Sequence, residues 1–392
     1  MKVVLVLDSY PPDLNGGAYF THRLAKVLLA NDVDVKVACQ SLSIKSYDDQ
    51  YEGVPLRRFS SFTSIIYNNF RIVNPIGVRK KARAFLREFK PDIVHLQGKF
   101  IVGNAVFKEA KKMGIPCFTT NHLMPQNFEH YFKVPSIFKS LYNRFVWNWV
   151  FEMYCQLPLV VSPTQSGADE LYKNGLKVPI NVISCGVDCS LFEQKENPEV
   201  IRKIHGLPEG PIVLYTGRLD KEKNIDVVLR ACDIALKKTH FHLVITGTGE
   251  EENKLKALAK KLGINEQVTF TGKIPDDQFT SIYSVAAVFV NACNFELQCI
   301  SALEAIAAGL PVILSHSLAL PELVNLEEPN GYTFTPNKYE ELAEKLSTVL
   351  MDENLRKELS KNSLKLSKKH DIQNTALSYI ETYKSIIKSS KR

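Results

Sequence analysis

A few charged, glycine and histidine positions could do chemistry in this chain. Glu296 stands in a predicted strand-to-helix turn, and Glu304 lies eight residues on, along a helix that Gly309 ends and Pro311 confirms as finished. Glu304 is flanked by Ala302, Leu303, Ala305 and Ile306, so it is an acid on an apolar helix and needs a partner, because an unpaired buried carboxylate is costly. Arg218 and Lys223 come just past the apolar run 212–216. A guanidinium fork and an ammonium point charge suit a diphosphate, and the same residues equally read as a solvated charge cluster. Gly16 and Gly17 precede a helix expected from about Ala18, where backbone N–H groups can approach a phosphate or sugar; a plain tight turn is the alternative. The pattern is not GxGxxG. Gly247-Thr248-Gly249-Glu250 lacks the Lys-Ser/Thr of a P-loop and reads as a glycine turn followed by favourable first-turn acids. His122 follows a predicted strand over 116–121, whose end would face a ligand, whereas His95 sits inside an apolar run and reads as a core histidine.

These groups need a scaffold that gathers strand ends. Short runs rich in Val and Ile recur at 3–7, 33–39, 92–96, 116–121, 157–162 and 181–184, mostly separated by helix-patterned segments such as 21–30 and 104–113. A second series follows at 212–216, 241–247, 268–272, 285–292 and 311–314, with helices expected over 225–237, 251–262 and 297–308. Continuous apolar strands alternating with helices imply parallel sheets covered on both faces, so the fold class is α/β with two doubly wound, Rossmann-like domains. The composition turns linker-like after Gly186, which sets the domains at 1–186 and 187–370. The tail 371–392 carries a helical apolar stripe and is expected to pack back on the first domain. Two such domains facing each other place their strand ends around one cleft.

The spacing Glu296-x7-Glu304, followed by Ala-Ile-Ala-Ala-Gly-Leu-Pro-Val-Ile, resembles the signature of glycosyltransferase family 4, retaining nucleotide-sugar transferases of the GT-B fold. Gly16-Gly17, Pro91-Asp92-Ile93-Val94-His95, Arg218 with Lys223, and Asn330-Gly331-Tyr332 extend the resemblance over almost the whole chain. It implies that Glu296 contacts the donor sugar, Glu304 the ribose hydroxyls, Arg218 and Lys223 the diphosphate, and His122 the sugar near the reacting centre. It also implies donor contacts from Gly16 and Gly17 and from the helix start at Cys299 and Ile300. The common pattern has Gly where this chain has Cys299. Members acting on lipids look similar over 120–125 and 299–304, so the resemblance implies transfer of a hexose, with UDP-glucose the expected donor, to a membrane lipid such as diacylglycerol. The alternatives are the same donor chemistry on a soluble glycan, inositol or protein, and a non-catalytic protein that binds nucleotide or nucleic acid.

Length and composition narrow the field further. At 392 residues, 45% hydrophobic and 23% charged, the chain exceeds one small module and is neither disordered nor low-complexity. Its eight cysteines lack CxxC spacing, which argues against disulfide or zinc frameworks. The Asp-x-Asp at Asp32-Val33-Asp34 lies where the second strand begins, so no metal site and no cofactor beyond the donor substrate is expected. The start is too short for a signal h-region and no run reads as a membrane span, so a cytoplasmic, peripherally membrane-associated protein is expected. Residues 1–186 hold 23 Lys and Arg against 14 Asp and Glu, while 187–392 hold 26 against 28. The basic half should meet an anionic surface, and without nucleic-acid motifs that surface is expected to be lipid. Segment 76–90 reads as a basic amphipathic helix lying on anionic lipid, and 131–154 mixes aromatics with Lys133, Lys139 and Arg144; ordinary surface or core helices are the alternative for both.

Overall fold

A computed structural model describes residues 1–12, 16–63, 71–125, 134–193, 197–275 and 278–391. The chain forms two compact units, Met1–Cys185 together with Ile372–Arg392, and Gly186–Asp371. In the first, the order of the eight-stranded sheet is β10-β9-β8-β7-β1-β2-β4-β3. β1 (Lys2–Val6) lies between β2 (Asp34–Gln40) and β7 (Ile93–Leu96), and all three run parallel. Val3, Val4, Leu5 and Val6 are wholly buried, as expected of a strand covered on both faces. β8 (Cys117–Thr120), β9 (Val160–Ser162) and β10 (Ile180–Val182) extend one side.

The other side ends in a hairpin that the apolar runs do not announce. β3 (Tyr47–Tyr51) and β4 (Val54–Phe59) pair antiparallel around Glu52 and Gly53, both at positive φ. β3 is an edge strand held by ion pairs: Asp48 meets Lys36 and Arg57, and Asp49 accepts from the buried Arg58 at 2.5 Å. A strand tied by charge carries no hydrophobic signature. A short second hairpin joins β5 (Ser61–Thr63) and β6 (Arg71–Val73).

Around this sheet lie α1 (Gly16–Ala30), α2 (Val78–Phe89), α3 (Ile101–Lys112), α4 (Lys139–Tyr154) and α5 (Gln165–Lys173). α2 corrects the expectation of a helix lying on lipid. Its apolar residues Val78, Ala82, Phe85 and Leu86 are buried in the unit, and Arg79 and Arg83 both grip Glu109 of α3. The apolar stripe that would enter a bilayer is already spent on the core. In α4, Trp147, Val150, Met153 and Tyr154 are buried, whereas Leu141 and Phe145 are exposed; positions 131–133 of that segment lie outside the described residues.

The second unit holds a six-stranded sheet, parallel throughout, in the order β13-β12-β11-β14-β15-β16. Its strands are β11 (Ile212–Thr216), β12 (His242–Thr246), β13 (Val268–Gly272), β14 (Val288–Asn291), β15 (Val312–Ser315) and β16 (Gly331–Phe334). Side chains alternate: Val213 and Tyr215 join the core beneath α7 (Ile225–Ala235), while Ile212 and Leu214 join the one beneath α9 (Ile300–Ala307). α6 (Pro198–His205), α8 (Glu252–Leu262), α10 (Tyr339–Met351) and α11 (Glu353–Ser367) complete this unit. The last helix, α12 (Ile372–Ser390), belongs to the first unit, where it packs on α1.

Candidate functional site

In an open parallel sheet, ligands bind beyond the carboxyl ends of neighbouring strands whose connections leave in opposite directions. In the second unit that point lies between β11 and β14, since β11 continues to β12 on one side while β14 lies on the other. The loop after β11 carries Arg218 and Lys223, and the loop after β14 carries Glu296.

Two of the predicted groups meet there. Lys223 Nζ donates to Glu296 Oε1 at 2.7 Å, with both side chains largely withdrawn from solvent. Burial alone would pull the Lys223 ammonium down; the Glu296 carboxylate, aided by Cys293 and Tyr215, outweighs it and holds that pKa well above the ordinary lysine value. Lys223 is therefore a fixed cation. Asn224 Nδ2, donating to the Ala292 carbonyl at 3.0 Å, ties the two loops together beside the pair.

Arg218 stands apart from that pair. Its guanidinium bonds to Asp220 and donates to Glu222 Oε1 at 2.9 Å, and it is 45% exposed. In this state Arg218 belongs to a local charge cluster, and a diphosphate would have to draw it away from two acids. Glu304 is almost wholly buried and accepts from Tyr283 Oη at 2.9 Å, the same hydroxyl that lies 2.9 Å from Thr216 Oγ1 at the end of β11. Tyr283 is thus a partner that the buried acid requires. A side chain at Cys299 turns inward, where Asn291 Nδ2 lies 3.1 Å from its sulfur, and burial pushes the thiol up to about 12. Toward a ligand Cys299 can offer only its backbone. Ile300 opens α9, whose first-turn N–H groups have no carbonyl within the helix to bond.

Glycines shape the neighbouring loop. A Cβ on Gly247 would stand 1.9 Å from the Gly217 carbonyl oxygen, and one on Gly249 would stand 2.4 Å from Leu219 backbone atoms. The loops after β11 and β12 pack backbone against backbone, so the Gly247–Gly249 turn supports the Arg218 loop sterically.

The first unit has its own switch point at β1 and β7. Gly16 opens α1 and Gly17 follows; among the described residues a Cβ on Gly16 would meet nothing within 4 Å, so their packing does not demand glycine there. Positions 13–15 of this loop lie outside the described residues. His122, just past β8, bonds Gln97 Oε1 at 2.7 Å and packs on the Phe20 ring at 5.0 Å. An amide oxygen only accepts, so His122 Nε2 carries the proton and Nδ1 is left as an acceptor. Burial pushes this imidazole down to about 4, which keeps it neutral.

Gln97 is held in turn. Its Nε2 lies 3.0 Å from His95 Nε2, and His95 is wholly buried, 2.8 Å from Thr120 Oγ1 and 2.9 Å from Tyr383 Oη of α12. Tyr379 Oη lies 2.9 Å from the same Thr120 hydroxyl. His95 is thus the core histidine expected, and it also links His122 to the last helix. Gln97, Tyr283, Tyr379 and Tyr383 carry no sequence signal, being single polar groups in apolar surroundings. Asn121 is another: its Oδ1 accepts from Tyr154 at 3.0 Å, while its buried Nδ2 finds no acceptor among the described residues. Asp32 and Asp34 lie where β2 begins, with Asp34 beside Lys2, away from these strand ends.

Two family models match the chain, Glycosyltransferase Family 4 over residues 14–191 and Glycosyl transferases group 1 over residues 197–366. The alpha-monoglucosyldiacylglycerol synthase of Streptococcus pneumoniae is 28% identical over 340 residues, covering 83% of this chain and 73% of its own. The GDP-mannose-dependent alpha-mannosyltransferase of Corynebacterium glutamicum is 25% identical over 367 residues, covering 92% of this chain and 83% of its own. Among solved structures, Anabaena HepE in complex with UDP and glucose superposes with a TM-score of 0.78 at 16% identity, covering 98% of this chain and 100% of its own. At that identity the likeness is one of fold, GT-B.

Proposed function

We propose that this chain, matched by the Glycosyltransferase Family 4 model over 14–191 and the Glycosyl transferases group 1 model over 197–366, is a retaining family 4 enzyme that moves a hexose from a nucleotide sugar, UDP-glucose, to a membrane lipid such as diacylglycerol. The observation that carries this reading is the Lys223–Glu296 pair at the switch point between β11 and β14. A cation with a raised pKa beside a carboxylate suits a diphosphate leaving group next to a sugar.

As the anomeric bond breaks, positive charge grows on the sugar ring and negative charge on the departing diphosphate. Unit charges about 4 Å apart at an effective dielectric near 20 interact by about 4 kcal/mol. A helix terminus contributes about 0.3–2 kcal/mol. Lys223, joined by Arg218 once the donor recruits it, therefore outweighs the N–H groups at Cys299 and Ile300. Glu304 takes the ribose hydroxyls, Glu296 and neutral His122 the sugar, and Gly16 and Gly17 leave room for the donor. The acceptor hydroxyl attacks from the leaving-group side: the bond from the anomeric carbon to the phosphate oxygen breaks, a bond to the acceptor oxygen forms, and the hydroxyl proton passes to a donor phosphate oxygen. No divalent ion takes part in this scheme.

The lipid acceptor follows the Streptococcus relative, a diacylglycerol glycolipid synthase by name. Among the described residues no helix is long and apolar enough to cross a membrane. A lipid acceptor is met at a bilayer surface, and the proposal accordingly places the enzyme peripherally on a cytoplasmic membrane face. The test is a panel of UDP- and GDP-sugars offered with a lipid extract, products read by mass spectrometry. A hexosylated diacylglycerol from UDP-glucose is expected. A mannosylated product from GDP-mannose would move the donor assignment, and labelling of soluble acceptors alone would remove the lipid.

A further inference from the structure

The net charge of the first unit has a local focus. Between α2, α3 and α4 lies a cavity of about 570 Å³ lined by Arg79, Lys99, Lys108, Lys111 and Lys112, against the single carboxylate of Glu152. Its walls are braced: Arg79 is fixed to Glu109, and Lys99, itself buried, donates to the Trp149 carbonyl and to Glu152 Oε2 at 2.7 Å. Lys108, Lys111 and Lys112 stand exposed at the rim. With Arg79 matched by Glu109 and Lys99 by Glu152, the three rim lysines, of which Lys111 also donates to Gln156 Oε1 at 2.7 Å, leave the hollow net positive, a concave surface that suits a phosphate group.

The apolar residues beside it share its orientation. Along α4, at about 100° per residue, positions 141, 145, 149 and 152 fall within a sector of about 80°, with Phe138 just before the helix and Gln156 just after it. Phe138, Leu141 and Phe145 are 55%, 67% and 69% exposed, and Ile137 beside them is 80% exposed. Farther along the same face come Trp149, in ring contact with the half-exposed Phe100, and then Glu152 and Gln156 of the cavity wall. One face of α4 thus runs from bare apolar side chains to a basic hollow. That sequence of chemistry matches a bilayer crossed from acyl region to headgroup.

We propose that this face of α4 and the cavity beside it form a docking site for an anionic phospholipid surface, the cavity cations taking headgroup phosphates while Ile137, Phe138, Leu141 and Phe145 enter the acyl layer. The site deepens the lipid-acceptor reading by naming the surface on which such an acceptor is met, and binding tests it without any transfer step. It also replaces α2 as the membrane element, since the apolar face of α2 is buried.

The experiment is co-sedimentation of the full chain with vesicles of equimolar phosphatidylglycerol and phosphatidylcholine, and with phosphatidylcholine alone. Wild type should bind the anionic vesicles only. Lys108→Glu/Lys111→Glu should weaken binding by at least about tenfold, at about 1 kcal/mol per surface cation. Leu141→Ser/Phe145→Ser should weaken it as much, with circular dichroism unchanged for both variants. Lys80→Glu/Arg87→Glu on the outer face of α2 changes net charge equally and should cost far less. No vesicle binding by wild type, equal loss in the α2 variant, or binding of RNA in place of vesicles would each overturn the site. Vesicle binding by wild type with no lipid ever glycosylated would leave the site standing and remove the acceptor reading instead.

Discussion

Lys223 and Arg218, which the sequence presents as a matched pair, differ in their surroundings. Lys223 faces Glu296, a neighbour that a sugar can share, whereas Arg218 is already engaged by Asp220 and Glu222. Lys223→Ala should lower turnover about a hundred- to thousandfold, the scale of losing one transition-state donor. Arg218→Ala should cost less, about tenfold, because two acids already offset its charge; steady-state kinetics on both variants checks the order. His122 makes a second prediction. The unfolded imidazole takes a proton near 6.5 and the folded one only near 4, so between those values the unfolded state binds more protons and stability falls as the pH drops. The kcat/KM profile should show no limb near 6.5 that disappears in His122→Asn; such a limb would mean a solvated imidazole. Lys223, Glu296 and Glu304 are legible because charge stands out against apolar strands, and His122 because it follows one. Tyr283 and Gln97 are not, because a buried tyrosine or glutamine reads as filling until its partner across the fold is known.

Elements were legible in proportion to their hydrophobicity. β11 and β13 fall where their apolar runs lie, and the other runs of Val and Ile became strands within a few residues. β3 was hidden because Tyr47-Asp48-Asp49-Gln50-Tyr51 holds no apolar run, and α9 begins at Ile300, later than the periodicity suggests, because 294–299 is spent on the turn that presents Glu296. α2 shows a different limit: a basic amphipathic stripe looks the same whether its apolar side meets a bilayer or a sheet, and only the burial of Phe85 and Leu86 decides. α12 is fastened by polar contacts, with Tyr383 on His95 and Tyr379 on Thr120. Tyr383→Phe should destabilise the chain by about 0.5–1.5 kcal/mol in urea denaturation, the worth of one such bond. It should also lower kcat with little change in KM if the link through His95 and Gln97 orients His122. A change in stability alone would confine Tyr383 to fastening the helix.

At the scale of the whole molecule, each sheet carries its candidate ligand groups past the carboxyl ends of strands beside a switch point, β1 and β7 in one unit and β11 and β14 in the other. That plan followed from the alternation of apolar runs and helices, whereas donor and acceptor depend on contacts that no pattern encodes. Retention predicts an α-linked product from an α-linked nucleotide sugar. Proton NMR of the purified glycolipid should show it, and a β-linkage would exclude attack from the leaving-group side. The central claim is that a fixed ammonium, in place of a metal ion, takes the charge of the departing diphosphate. Calorimetric titration of UDP into the protein in excess chelator tests it most directly. Wild type should bind, and Lys223→Ala should bind about ten- to a hundredfold more weakly, the equivalent of one charge-assisted hydrogen bond. Binding that appears only on adding Mn²⁺, or that Lys223→Ala leaves unchanged, would contradict the account.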